Sequence, residues 1–109
     1  MDDTLVSKLE PYRERPGVLA ALLVSRDGFL VAAAADERVD TEAVAAQVAG
    51  VIDIGARLAD ELEQEETRYI GIELSDLNVV LAPFEGELLL ALVGTPDVIA
   101  LEYKLRGER

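Results

Sequence analysis

Residues 40–64 read DTEAVAAQVAGVIDIGARLADELEQ, the longest helical pattern in the chain. Asp40 or Thr41 can cap its start, and Glu37 and Glu42 place negative charge near the positive end of the helix dipole. Behind the cap, Val44, Val48, Val51, Gly55, Leu58 and Leu62 recur at steps of four and three and line one face. That row suffices for a helix lying on a sheet. A second row, Ala45, Ala49, Ile52, Ala56 and Ala59, runs beside it. At about 100° per residue the two rows and Ile54 span an arc of roughly 220°, about twice what a helix packed on one side needs. Small side chains let another backbone come close, so dispersion contacts accumulate. The plain reading of so much alanine is helix propensity alone. The sharper reading gives the first row to the protein's own sheet and the second to another helix. No other stretch is long enough to be that mate, so a second copy of the chain is expected.

The flanks of this helix read as strands. Val18 to Ser25 is almost wholly apolar, which suits a central strand buried on both faces. Arg26-Asp27-Gly28-Phe29 follows, with Asp-Gly in the two central positions of a predicted tight hairpin turn, and Phe29 to Ala35 returns antiparallel. After Gln64 the acidic pair Glu65-Glu66 ends the helix and the period changes to two: Ile70, Ile72 and Leu74 alternate with Tyr69, Gly71 and Glu73. Asn78 to Phe84 and Leu88 to Val93 make two more strands, joined by Glu85-Gly86-Glu87, with Pro83 near a strand end where a missing N–H is tolerated. Thr4 to Tyr12 predicts a short first helix. Gly94-Thr95-Pro96-Asp97 opens a last one, with Val98, Leu101 and Leu105 on its buried side.

The predicted fold is therefore an α/β (α+β) sandwich in the order α-β-β-α-β-β-β-α. A five-stranded antiparallel sheet has the long helix on one face and the N- and C-terminal helices on the other. Residues 1–109 make a single domain.

Ten basic against twenty-two acidic residues, a net charge of −12, leave no basic stripe for nucleic acid or an anionic membrane surface. Cysteine and histidine are both absent, which removes disulfides, thiolate chemistry, the usual zinc ligands and the commonest general base. The start, Met1-Asp2-Asp3-Thr4, has no signal-like pattern, and the apolar runs are far shorter than the ~18 residues of a membrane span. No membrane insertion, no cofactor, no metal and a cytoplasmic location are expected. Ser7, Ser25 and Ser75 have no histidine to activate them, and no glycine-rich phosphate loop occurs. Catalysis is not expected.

Arg57 is the one base on the polar side of the long helix, among Glu42, Asp53, Asp60 and Glu61. Its plain reading is an ion pair with Asp53 or Glu61, four residues away on either side. Nothing in the sequence favours Arg26 or Arg38 as a finger reaching a nucleotide on another protein. Ile54, at the margin of the apolar arc beside Gln47, is equally a binding residue or the edge of the core.

At Arg15-Pro16-Gly17-Val18, then Val24-Ser25-Arg26-Asp27-Gly28-Phe29-Leu30-Val31-Ala32, the chain resembles the Roadblock family. That family joins dynein light chains of the roadblock type with MglB-like bacterial regulators of Ras-like GTPases. The likeness continues through the alanine-rich helix and through Val80-Leu81-Ala82-Pro83, Gly86 and Leu88-Leu89-Leu90; Ala100 stands about where bacterial members often carry glycine. The resemblance implies a homodimer in which the long helices pair and the third strands join two sheets into one. Ala45, Ala49, Ile52, Ala56, Ala59, Tyr69, Ile70 and Gly71 are its expected interface. It further implies a non-catalytic regulator or scaffold for a small Ras-like GTPase or a GTPase-containing assembly. Gln47, Gly50, Asp53, Ile54 and Arg57 form the candidate partner platform. The alternatives are a small-ligand sensory or profilin-like domain, which needs a cavity between sheet and helix, and a structural dimerisation adaptor with a non-GTPase partner.

Overall fold

The computed structural model describes residues 3–96. In chain order these form α1 (Asp3–Arg13), β1 (Val18–Val24), β2 (Leu30–Ala35), α2 (Thr41–Glu61), β3 (Ile70–Glu73), β4 (Asn78–Pro83) and β5 (Leu89–Gly94). The strands make one antiparallel sheet in the order β2-β1-β5-β4-β3. The expected sequence of elements is present from the first helix to the fifth strand. The last helix, with Val98, Leu101 and Leu105, falls outside the described residues.

β1 and β5 are the central pair, and their unbroken apolar runs follow from having a core on each side. Ala20, Leu22, Val24, Leu89, Ala91 and Val93 meet Ala45, Val48 and Ile52 of α2. The alternate residues Ala21, Leu23, Leu90 and Leu92 share the opposite core with Leu9 of α1. Leu22, Leu23 and Leu89 have no exposed surface, so truncating any of them to alanine would cost about 2–5 kcal/mol.

The hairpin between β1 and β2 differs from the predicted two-residue turn. Gly28 has φ +93, but Asp27 keeps a negative φ. Gly28 N–H donates to Ser25 O (3.0 Å) and Ser25 N–H to Phe29 O (2.9 Å). The loop is thus three residues long: a turn followed by a left-handed glycine, with the strand register shifting between Leu23 and Val24. This extra residue lays the turn on α2, where a Cβ at Gly28 would lie 3.5 Å from Ala49 Cβ.

α2 starts at Asp40, whose carboxylate accepts from Ala43 N–H at 3.2 Å. It ends in a Schellman motif: Gln64 N–H donates to Ala59 O (2.8 Å) and Glu63 N–H to Asp60 O (3.1 Å). Glu63 occupies the left-handed position, φ 59, that glycine usually fills.

The division of the apolar arc also departs from expectation. The sheet takes Ala45, Val48 and Ile52, one residue from the first row and two from the second, while Leu58 and Leu62 stand 59% and 62% exposed. The two rows are separated by less than a turn's width, and the sheet meets the helix along the line between them. α2 lies chiefly over β1 and β2. The part of that sheet face formed by β4 and β3 keeps an open flank.

Candidate protein–protein interface

Along that flank the helix and the sheet edge form one apolar strip. Its first half is a groove of about 440 Å³ whose walls include Val44 and Val51 of α2, Ile72 of β3, and Leu74, Leu77 and Val79. The second half, about 420 Å³, continues with Ile54, Leu58, Ala59, Leu62 and Ile70, and Val51 belongs to both. Ile54 is 65% exposed and Leu74 55%. Singly exposed apolar side chains are ordinary, whereas contiguous apolar strips are found more often at interaction surfaces, which makes this one the candidate. β3 ends the sheet order, so its outer backbone edge adjoins the same strip and has β4 as its one strand neighbour among the described residues.

Gly55 positions the two walls. A Cβ there would come within 2.9 Å of Ile70 Cδ1 and 3.6 Å of Thr67 Oγ1, so the absent side chain lets the chain leading into β3 run close against the helix.

The expected interface residues are distributed unevenly around this strip. Ala59 and Ile70 line it. Tyr69 is half-buried at the entrance to β3, and Gly71 is exposed on the other face of that strand. Ala49 is half-buried beside Gly28. Ala56 is exposed. Ala45 (0%) and Ile52 (8%) are core residues with almost no surface to offer a second copy, which corrects their assignment. Small size had suggested close helix contact; in α2 it instead lets the helix settle onto β1 and β2.

Of the expected platform residues, Gln47 and Ile54 border the strip. Gly50 is open, with no neighbour near enough to contact an added Cβ. Arg57 pairs with Asp53, Nη2 to Oδ2 at 2.7 Å and Nε to the same oxygen at 3.2 Å, and that carboxylate holds its guanidinium pKa above the ordinary value. Arg57 is therefore bound within its own helix. Arg38 is likewise engaged: its Nε, Nη2 and backbone N–H all donate to Asp36, whose pKa falls from 3.8 to about 2, chiefly through the side-chain hydrogen bond from Arg38.

Sequence reasoning gives Val44, Val51, Leu58 and Leu62 to the protein's own sheet, whereas all four line the apolar strip. Periodicity holds no signal for this, because it gives the arc of the helix and not the line along which the sheet meets it. Among the described residues no three acidic side chains converge as a metal site, and no helix is long and apolar enough to cross a membrane.

A five-stranded antiparallel sheet thus lies between α1 and α2, with an apolar flank along α2 and one sheet edge. Residues 5–94 match the Roadblock/LC7 domain family, and the chain belongs to that family. Solved structures agree in fold. MglB of Myxococcus xanthus aligns with a TM-score of 0.78 at 16% identity, over 85% of this chain and 76% of that one. The gliding protein MglB of Thermus thermophilus gives 0.78 at 24%, over 95% and 80%. The Roadblock/LC7 domain from Streptomyces avermitilis gives 0.73 at 20%, over 86% and 78%. A search of curated proteins finds no match.

Proposed function

We propose that the chain acts as a non-catalytic homodimeric regulator or scaffold that binds a small Ras-like GTPase or a GTPase-containing assembly. The observation that carries the dimer is the mostly apolar strip along α2, whose two grooves have Asp40 and Glu66 as their charged lining residues. Val44, Gln47, Val51, Ile54, Leu58 and Leu62 carry no charge in a chain whose net charge is −12. Two such acidic copies meet with least repulsion where few carboxylates face one another. A helix of 21 residues is about 30 Å long; with the neighbouring strand edge it offers on the order of 600 Å², close to the ~800 Å² per partner of a standard interface.

In this arrangement Val44, Val51, Leu58, Leu62, Ala59 and Ile70 meet the second copy. The residues of β3, with Tyr69 leading in, supply the backbone edge that pairs with its twin. Gly50, Asp53 and Arg57 stay on the outward crest of the paired helices as the GTPase platform, flanked by Gln47 and Ile54. Family membership supports the regulatory reading, and the absence of histidine and cysteine from the sequence fits a role without chemistry of its own.

Two measurements test it. Sedimentation of the wild type should give twice the chain mass, and a monomer at high concentration would remove the dimer. Small Ras-like GTPases from the same source, loaded separately with GDP and GTP, should be retained by the immobilised protein in at least one state. Retention in neither would leave a structural adaptor.

A further inference from the structure

Five large apolar side chains are exposed among the described residues: Phe29, Ile54, Leu58, Leu62 and Leu74. Four of them line the apolar strip. Phe29 does not, and at 71% it is the most exposed of the five. The chain has two phenylalanines, three tyrosines and no tryptophan, so aromatic surface is scarce, and this ring stands in water.

The backbone beneath the ring is braced. Phe29 N–H donates to Ser25 Oγ (3.1 Å), and Phe29 O accepts from Ser25 N–H (2.9 Å). Gly28, one residue earlier, rests against Ala46 and Ala49 of α2. A side chain presented from a fixed turn has less freedom to lose on binding, which suits an anchor. A second copy seated on the strip does not reach it. Val51 belongs to both halves of the strip, and Ala49 stands about 160° around the helix from Val51.

On the ring's own side of α2, Ala46 and Gly50 are exposed one turn apart, and Gly50 has open space around it. The backbone of an arriving protein can therefore come down beside the ring. Arg26 of the same turn is tied to Glu87 at 3.2 Å, while Asp27 has no ion pair among the described residues. The surface that fits is an apolar socket with neutral or basic groups at its rim.

We propose that Phe29 anchors the GTPase on the outward platform: its ring enters an apolar socket of that partner, whose backbone settles over Ala46 and Gly50. This rests on the GTPase reading above and adds to it a residue on the flank of α2 away from the dimer contact.

The test is a binding titration of small Ras-like GTPases from the same source, loaded separately with GDP and GTP, against wild type and variants of the full chain. Phe29→Ser should bind at least about tenfold more weakly, and Phe29→Leu, which keeps an apolar side chain, within about threefold of wild type. Gly50→Leu should also weaken binding at least about tenfold by raising bulk beside the ring, without a fall in melting midpoint, because it removes a helix glycine. Phe29→Ser should sediment as wild type does and melt within about 4 °C of it, since the ring is exposed. Wild type and Phe29→Ser binding a GTPase equally, or Gly50→Leu binding it unchanged, would overturn the anchor and leave the GTPase reading standing. Self-association lost in Phe29→Ser would overturn it by assigning the ring to the dimer contact, and a larger drop in midpoint by assigning it to the core. Wild type binding no GTPase in either state would overturn both.

Discussion

Gly55 of α2 and Ile70 of β3 touch so closely that one added methyl group at Gly55 would stand 2.9 Å from Ile70 Cδ1. Replacing Gly55 by alanine gains about 1 kcal/mol of helix propensity. Moving Ile70 off its present rotamer costs about 0.5–1.5 kcal/mol. The two terms nearly cancel, so the thermal midpoint of Gly55→Ala should stay within about 4 °C of wild type. Ile70 also lines the interface strip, and displacing it should weaken self-association about tenfold in sedimentation equilibrium. Association unchanged from wild type would separate Ile70 from the interface.

Leu58 and Leu62 should carry association but not folding. The double variant Leu58→Asp/Leu62→Asp is expected to unfold in urea within about 1 kcal/mol of wild type, since both positions are already exposed. Its dimer should weaken by at least about a hundredfold, because two carboxylates would be taken out of water at the contact. Ala45→Asp is the contrast: a charge placed in the α2 core should cost at least about 3 kcal/mol of stability. A folded Ala45→Asp variant that had lost only its dimer would return the alanine row to the interface.

Glu63 holds a left-handed backbone conformation that costs a side-chain-bearing residue roughly 1–2 kcal/mol. It also adds negative charge at a helix end whose last turn has no base. Glu63→Gly should raise stability by about 1 kcal/mol, seen as a rise of roughly 4–8 °C in the melting midpoint.

Asp36 should make the chain sensitive to acid over a defined range. Its folded-state pKa is depressed from 3.8 to about 2 by Arg38, so its contribution is complete above the unfolded value and is lost as pH falls through the folded one. The stability difference between wild type and Asp36→Asn should therefore be constant near neutral pH. It should shrink as pH is lowered from about 4 to about 2. A difference that persisted to the lowest pH would assign the effect to backbone geometry instead.

Much of this was legible in the residues. The doubly apolar runs at Val18 and Leu88 identified the central strands, and Asp40 declared the start of α2. Periodicity also gave the width of the apolar arc. What it could not give was the line along that arc where the sheet makes contact. That line depends on two contacts distant in sequence: the Gly28 turn resting on Ala46 and Ala49, and Ile70 lying on Gly55. The same reason hid the strip, whose second wall comes from Ile72, Leu74, Leu77 and Val79, beyond the helix. The turn was misjudged more locally: Asp-Gly fits either a two-residue or a three-residue loop, and the lean of the hairpin onto α2 goes with the longer one.

Because α2 lies chiefly over β1 and β2, residues 3–96 roof one face of their own sheet only in part. If a second copy covers it, as proposed, that apolar flank stays open in the described residues until the copy arrives. The length of that interval would then follow the concentration of the chain. Scarcity or imbalance would then show first as turnover or clumping of the chain, ahead of any failure in the process it serves.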